Sequence, residues 1–241
     1  MMQRKEYILK EILSEAELEL FLRLRYGCFS KSASGLFINE NDKAIDVNYY
    51  DRNSLHYGIY KTHPLKTELV GYFRIVLEEP TLANHWVQNI SSRAGLSRIT
   101  NHKPASVFPC LGIYPHSSLE QGFYAKKKAA EKAGEVSRFF IVEKERSLKL
   151  SLQIIKGAFA IGLLHLQHGF VGCFNEHSKA YMKFGFRQYP QSITFSFDTP
   201  LKQKKGIILY WRTSYLTSEL EKMFKNIQDP FLANNCLTIS I

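Results

Sequence analysis

The sequence predicts a mixed α/β (or α+β) fold, in which short β-rich segments alternate with amphipathic helices. A capping box starts the first helix, because Ser14 and Glu17 have the spacing that satisfies free backbone N–H groups there. Two alternating segments, Leu55–Tyr60 and Glu68–Leu77, flank a turn and predict a hairpin. Apolar residues recur every three to four positions over Leu148–His168, which predicts a long helix.

The other elements follow in chain order. Strands are predicted over Tyr7–Ile12, Gly134–Lys144, Phe170–Phe174, Ile193–Asp198 and Ile207–Trp211. Helices are predicted over Leu18–Tyr26, Leu82–Ile90, Leu119–Lys132, Glu176–Phe184 and Ser218–Asn226. Ser30–Asn53 is rich in turn residues and reads as a loop, and Phe108–Tyr114 is either a strand or the lining of a pocket.

The composition favours one well-packed domain over residues 1–241. Hydrophobic residues make up 45% of the chain, which is ample for a core and argues against disorder. Met1–Lys10 leads into polar sequence, so no signal peptide is expected. The apolar stretch Gly157–Phe174 contains His165 and His168 and predicts a buried helix followed by a strand, not a membrane span.

Charge and cysteine content indicate the class of partner and the compartment. The four widely spaced cysteines are expected to be reduced thiols in a cytoplasmic protein. A net charge of +10 suits nucleic acid, an anionic membrane or an acidic protein. The densest basic cluster is Lys126–Lys128 with Lys132, for which a solvated helix face is the alternative. His165 and His168 lack a third ligand nearby in sequence, so no metal site is predicted.

The segment Gly134–Lys144 is predicted to be the central strand, because it is rich in β-branched and aromatic residues. Glu135 and Arg138 lie three residues apart within it. Side chains alternate between the two faces of a strand, so a regular strand would place these two on opposite sides. They share a site only if a bulge re-aims one of them. Arg74 projects from an otherwise apolar face of the hairpin and needs a carboxylate partner or a charged ligand.

Five motifs in this order resemble a known family. They are Arg25 with Phe29, Asn48-Tyr49-Tyr50-Asp51, His56, Gly71-Tyr72-Phe73-Arg74 and Glu135-Val136-Ser137-Arg138-Phe139. The set resembles the acyl-homoserine-lactone synthases and the long-chain N-acyl amino acid synthases, which have the GNAT acyltransferase fold. The resemblance implies a mixed twisted sheet of about seven strands flanked by helices, with an insertion over residues 78–133.

Three features depart from the family pattern or choose between its branches. Asn48 stands where the family usually has a carboxylate. The loop Glu143–Ser147 lacks the R/Q-x-x-G-x-G/A of coenzyme A-dependent GNAT enzymes, although a helix start there suits a single phosphate. That single phosphate matches the arm of an acyl carrier protein better than coenzyme A. His56 beyond the Asn48–Asp51 motif resembles the amino acid acylating branch.

The resemblance implies an N-acyltransferase that moves a long-chain fatty acyl group from an acyl-carrier-protein thioester (or acyl-CoA) to the amine of an amino acid. No tightly bound cofactor and no metal are expected. The implied catalytic residues are Glu135, Arg138 and Asp51, with Glu135 accepting the amine proton. The implied substrate-binding residues are Arg74, Arg25, Phe29, His56, Asn48, Phe139, Ile141 and Phe174, with Arg74 or Arg138 holding a carboxylate. The implied carrier-binding residues are Arg146, Ser147 and Lys149, with Lys126–Lys128 as further docking candidates for an acidic carrier protein.

Three alternatives remain at this stage. The first is an acyl-homoserine-lactone synthase that uses S-adenosylmethionine. The second is a nucleic-acid-binding module, suggested by charge alone and disfavoured because the basic residues are scattered. The third is a member of the family that binds acyl groups without turnover, which the asparagine at position 48 keeps open.

Overall fold

A mixed sheet, in which the described residues form nine strands, organises the protein. The computed structural model describes residues 5–32, 38–63, 66–113, 118–189, 195–198 and 203–241. The strands are β1 (Glu6–Glu11), β2 (Ser54–His63), β3 (Lys66–Leu77), β4 (Ala133–Ile141), β5 (His168–Phe174), β6 (Arg187–Gln188), β7 (Phe195–Asp198), β8 (Gln203–Arg212) and β9 (Cys236–Ser240). Their order across the sheet is β6-β8-β5-β4-β3-β2-β1-β9, and β7 also pairs with β8. Among the described strands, only β4 and β5 are paired in parallel.

Seven α-helices surround the described part of the sheet. They are α1 (Glu15–Phe29), α2 (Ala83–Arg93), α3 (Ser97–Asn101), α4 (Leu119–Tyr124), α5 (Leu148–His165), α6 (Ser178–Met182) and α7 (Ser218–Asn234). The Ser14 half of the predicted capping box is present, because the Ser14 hydroxyl accepts from the Glu17 amide, whereas the Glu17 carboxylate accepts from the Tyr60 hydroxyl at 2.5 Å. A 3₁₀ turn over Tyr49–Asn53 leads into β2. Asn235, in the left-handed region with φ 53°, ends α7 and turns the chain into β9.

The two faces of the sheet bury different helices. The α5 and α7 face forms the larger core, which includes Tyr57, Phe73, Ile154 and Phe224. Helix α5 is long and apolar enough to cross a membrane, but it packs here against the sheet, and half of the residues in that window are buried inside the protein. The opposite face buries α1 and α2 in one cluster and the segment around Phe108 in another.

Charged residues fill the space between those last two clusters. The Asp51 carboxylate accepts from the Nη1 and Nη2 atoms of Arg25, both at 2.9 Å, and from Nη1 of Arg74 at 2.5 Å. Its fourth donor is the Asn48 amide at 2.9 Å. Arg25 also forms a 2.7 Å ion pair with Asp46, and Arg25, Asp46 and Asp51 have no exposed side-chain surface. Burial alone would raise the pKa of Asp51, but the two guanidinium groups hold that pKa well below its usual range. Ionised Asp51 therefore stabilises the folded protein. This stabilisation is complete above the unfolded-state pKa of about 4 and is lost as the pH falls through the lower, folded-state pKa.

The structure differs from the sequence prediction in several places. The described residues form nine strands instead of about seven, because the short strands β6 and β9 give little pattern in sequence. Helix α4 ends at Tyr124, well before Lys132, and α7 extends to Asn234. Regular alternation along β3 would place Val70 on the same face as Tyr72 and Arg74, but Val70 is a bulge residue opposite β2 and packs on the α5 face.

Within residues 78–133 the structure describes α2, α3 and α4. Within Phe108–Tyr114 the structure has a 3₁₀ turn over Leu111–Ile113 instead of a strand. Tyr114 lies outside the described residues, as do Pro64 in the hairpin turn, Ile193 and residues 33–37 of the predicted loop.

Replacing Arg25 should test how much the charge network stabilises the fold. We expect Arg25→Ala to lower the free energy of unfolding by about 3–5 kcal/mol, because it leaves Asp46 and Asp51 buried without their main partner. Arg23→Ala is the matched control on the same helix, since Arg23 is 46% exposed and pairs with Glu19 at the surface. It should cost less than about 1 kcal/mol. Equal losses in urea unfolding would contradict this account.

Candidate active site

The central strand is bulged at Arg138. Tyr72 of β3 lies opposite Phe140 of β4, whereas Arg74 lies opposite Ser137, so two residues of β4 face only one of β3. Arg138 adopts a φ of 57°, a left-handed conformation that is uncommon for a side chain larger than Asn or Asp. The bulge that Glu135 and Arg138 need in order to share a site is therefore present, and both residues line one cavity.

Strands β4 and β5 separate immediately after Glu135. Their parallel pairing consists of Ala133 with His168, Gly134 with Gly169 and Glu135 with Phe170. Beyond this point, residues 136–141 of β4 and 171–174 of β5 line a cavity in place of a continued ladder. The edge of β4 that faces β5 is consequently open to a ligand over about 20 Å, at the usual rise of a strand.

The cavity has a volume of about 1310 Å³ and passes through this gap from one face of the sheet to the other. On the α1 face it is lined by Cys28, Phe29, Asn48, Tyr49, Tyr50, Arg74, Arg98, Ile99, His102, Pro109 and Cys110. On the α5 face it is lined by Ser151, Leu152, Ile155, Ala158, Phe159 and Tyr181. One half of the cavity is therefore rich in polar and charged groups, and the half against α5 is mostly apolar.

Glu135 is the acid at the polar end. Its side chain is buried, and its Oε2 accepts a 2.7 Å hydrogen bond from the Cys110 amide. Burial raises the pKa of Glu135 to about 7, although the Cys110 amide and the nearby Arg74 and Arg138 oppose the shift. A carboxyl group with such a pKa is suited to exchange a proton near neutral pH.

Arg74 lies at the cavity wall, but other side chains occupy most of its hydrogen-bonding capacity. Its Nη1 donates to Asp51 and, at 3.0 Å, to the Asn48 side chain, and its Nε donates to the Ser137 hydroxyl at 3.1 Å. Only 1% of its side chain is exposed. Asn48 thus supplies a neutral acceptor to Arg74 where the family pattern has a carboxylate, and it also lines the cavity.

Arg138 projects from the bulge between Asp46 and Phe29. Its Nε lies 3.8 Å from Asp46 Oδ2, and its guanidinium lies 5.5 Å from the centre of the Phe29 ring. Burial lowers the pKa of Arg138 to about 10, so it stays a cation at neutral pH. Asp46, which the sequence did not single out, thereby joins Arg25 of α1 to the bulge of β4.

Asp51, Arg25 and His56 lie behind the wall and not on the cavity lining. His56 Nε2 donates to the Asp51 carbonyl at 2.9 Å, so in the neutral ring Nδ1 accepts from the Tyr72 hydroxyl at 2.6 Å. Burial lowers the pKa of His56 to about 4, which keeps it neutral. Arg25 reaches the same hydroxyl at 3.1 Å. The contacts of these three residues hold Tyr72 and Arg74 in place.

The remaining predicted residues divide between the cavity and the outer surface. Phe29, Phe139, Ile141 and Phe174 all line the cavity, as do Arg146 and Ser147 at the start of α5. Ser147 caps α5 by accepting from the Leu150 amide, and Arg146 donates to the Ile141 carbonyl at 3.2 Å.

The predicted docking lysines lie away from that lining. Lys149, two residues after Ser147, is exposed but does not line the cavity. Lys126 and Lys128 are exposed, and Lys127 is 9% exposed and pairs with Glu78 at 3.5 Å. Lys127 is therefore not the free surface charge that the cluster Lys126–Lys128 suggested.

Three cysteines line the cavity as poor nucleophiles. Burial raises the pKa of Cys28, and burial with the adjacent Glu135 charge raises that of Cys110. Burial raises the pKa of Cys173 to about 12. Thiols of this kind are inert at neutral pH. No group of three or more metal-ligating side chains occurs among the described residues.

The fold matches those of known acyltransferases. No protein-family model and no curated protein sequence matches the chain. Among solved structures, FeeM, an N-acyl amino acid synthase from uncultured soil microbes, aligns over 93% of this chain and 98% of its own, with 11% identity and a TM-score of 0.51. The acyl-homoserine lactone synthase LasI aligns over 93% and 96%, with 14% identity and a TM-score of 0.53.

A third matching structure is that of BjaI, which was solved with bound ligands. This CoA-dependent acyl-homoserine lactone synthase, solved with SAM and isopentyl-CoA, aligns over 92% of this chain and 90% of its own, with 17% identity and a TM-score of 0.51. The implied GNAT-like fold is confirmed by these three alignments. The chain has the fold that acyl-homoserine lactone synthases share with an N-acyl amino acid synthase.

Proposed function

We propose that this protein is an N-acyltransferase that moves a fatty acyl group from a thioester to the amine of an amino acid. The observation that carries the proposal is the cavity through the gap between β4 and β5, with Glu135 at its polar end and an apolar half against α5. A fatty acyl thioester needs such an apolar channel, and the attacking amine needs a base beside it.

Glu135 is the proposed base. Because the pKa of Glu135 is about 7, its side chain is a carboxylate in a large share of the protein molecules at neutral pH. This carboxylate can accept a proton from the amine, directly or through one water molecule. The neutral amine then attacks the thioester carbonyl, and a C–N bond forms as the C–S bond breaks. The thiolate leaves and takes up the second proton, which the attacking nitrogen loses as the amide forms, and the first proton passes from Glu135 to water.

The open edge of β4 is the proposed place for the carbonyl oxygen. Backbone N–H groups that point toward β5 beyond Glu135 face the cavity where the ladder has ended. Such groups stabilise the developing oxyanion without reorganising, because the strand holds them in position. The raised pKa values of Cys28, Cys110 and Cys173 favour direct transfer over an acyl-cysteine intermediate.

An acyl carrier protein is the proposed donor. Arg146 and Ser147 line the cavity next to Leu148, which is 76% exposed, and the exposed Lys149 follows. An exposed apolar residue between basic ones suits a small acidic protein that carries its acyl group on a single phosphate arm. The net charge of +10 would accelerate this encounter.

Charges in the cavity favour an amino acid over S-adenosylmethionine as the acceptor. The described lining contains Arg74, Arg98, Arg138 and Arg146 but only two acidic residues, Glu135 and Glu176. Both acceptors carry a carboxylate that cations attract, but a cationic lining repels the additional sulfonium charge of S-adenosylmethionine.

A direct assay tests this proposal. The purified protein is incubated with long-chain acyl carrier protein or acyl-CoA and either an equimolar mixture of the twenty amino acids or S-adenosylmethionine. Mass spectrometry should detect an N-acyl amino acid, formed faster from the carrier protein. An acyl-homoserine lactone as the main product would establish the alternative synthase, and no product from either amine would refute the transferase.

Removing the base should slow turnover without unfolding the protein. We expect Glu135→Gln to lower kcat about 10²–10⁴-fold, because general base catalysis is lost. In the wild type, kcat/KM should rise as the pH increases through about 7, since the carboxylate form of Glu135 is then populated.

The matched control is Glu143→Gln, which changes an exposed acid outside the cavity. It should leave kcat and the pH dependence of kcat/KM unchanged. Glu135 would be removed from the mechanism if Glu135→Gln kept the wild-type rate, or if it retained the rise near pH 7.

Two-substrate kinetics should show whether the acyl group passes directly from the donor to the amine. We expect initial-velocity plots for donor and amine to intersect, because both substrates must occupy the cavity together when no cysteine carries the acyl group. Intact-mass measurements of the protein with donor alone should show no acyl adduct. Parallel plots with a stable acyl adduct would instead indicate a covalent intermediate.

A further inference from the structure

Arg98 on α3 is a cation on the cavity lining that the proposed reaction does not yet use. It is exposed, and no carboxylate within the described ranges pairs with it. The cations nearer to the bulge differ, because Arg74 is bound by Asp51 and Arg138 faces Asp46. His102, four residues after Arg98, lines the same part of the cavity.

Helix α3 is fixed firmly against the start of β2. Arg52 Nη1 donates to the Thr100 carbonyl and to the Asn101 side chain, both at 3.2 Å, and its Nε donates to Asn84 at 2.7 Å. The Thr100 hydroxyl donates to Ser91 on α2 at 2.9 Å. These contacts hold the backbone that carries Arg98 in a set position, as a binding residue requires.

The register of the sheet places α3 at the Glu135 end of the cavity. Ser54, directly after the turn that contains Arg52, pairs with Val76, and Val76 pairs with Glu135. Arg146 follows the opposite end of β4, about 20 Å from Glu135 at the usual rise of a strand. Arg98 and Arg146 therefore lie at different ends of the cavity, Arg98 near the proposed base Glu135 and Arg146 near the proposed carrier-binding surface.

We propose that Arg98 binds the carboxylate of the amino acid acceptor, with His102 beside it, so that Arg98 selects amines that carry a carboxylate. This inference rests on the proposed N-acyltransferase function. It reassigns the carboxylate anchor expected at Arg74 or Arg138 to a residue whose donors are available. The amine of the bound acceptor then lies between Arg98 and the thioester, within reach of Glu135, and Tyr49 and Tyr50 form the wall along its side chain.

Steady-state kinetics with a matched acceptor pair test the role of Arg98. The acceptors are an amino acid that the wild type acylates and the methyl ester of the same amino acid, each varied at saturating donor. We expect Arg98→Ala to raise KM for the free amino acid about 10–100-fold, because a charge-assisted hydrogen bond is lost. KM for the donor and KM for the methyl ester should change less than about twofold, and Arg98→Lys should restore part of the loss.

Lys103→Ala is the control, since Lys103 is an exposed cation next to His102 that does not line the cavity. It should leave all three KM values unchanged. The inference is overturned if Arg98→Ala leaves KM for the amino acid unaltered, weakens the ester equally, or raises KM for the donor. A wild type that acylates no amine would instead refute the underlying function, and the inference with it.

Discussion

Strands β4 and β5 form only three backbone pairs before they separate, and the arrangement of the site depends on this early end of the ladder. Residue pairs beyond Glu135 and Phe170 would close the sheet and leave no passage between its faces. The bulge at Arg138 acts in the same region, because it bends β4 and brings Arg138 to the side where Glu135 lies. A sheet that opens at the parallel pair β4–β5 thus provides both an apolar channel and an edge of backbone donors for a ligand.

The buried charge network maintains this distortion. Arg138 holds an uncommon backbone conformation, and such strain persists only where the surroundings over-determine it. Asp46 contacts Arg138 on one side and Arg25 on the other, and Asp51 joins Arg25 to Arg74. Three arginines share two aspartates, so the network remains net positive beside Glu135. Burial nevertheless dominates the titration of Glu135, which is why its pKa rises to about 7 in spite of these cations.

Local patterns in the sequence predicted much of this architecture, and contacts between distant segments account for what they missed. The alternation of side chains along a strand was enough to show that Glu135 and Arg138 share a site only if a bulge lies between them. The apolar period of α5 and the cap at Ser14 were equally local. Asp46, Cys110 and Arg98 carried no such pattern, because their positions depend on the packing of residues 38–53 and 94–113 against β2 and β4. Lys127 was misjudged for the same reason, since its partner Glu78 lies far away in the chain.

A crystal structure with a bound N-acyl amino acid is the most direct measurement of the central claim. The account predicts that the fatty chain passes between β4 and β5 toward α5, with the amide carbonyl facing the open edge of β4 near the bulge. Glu135 should lie within hydrogen-bonding distance of the amide nitrogen, directly or through one water molecule. A continuous β4–β5 ladder beyond Phe170, with the side chains of Glu135 and Arg138 on opposite faces and the ligand bound elsewhere, would contradict it.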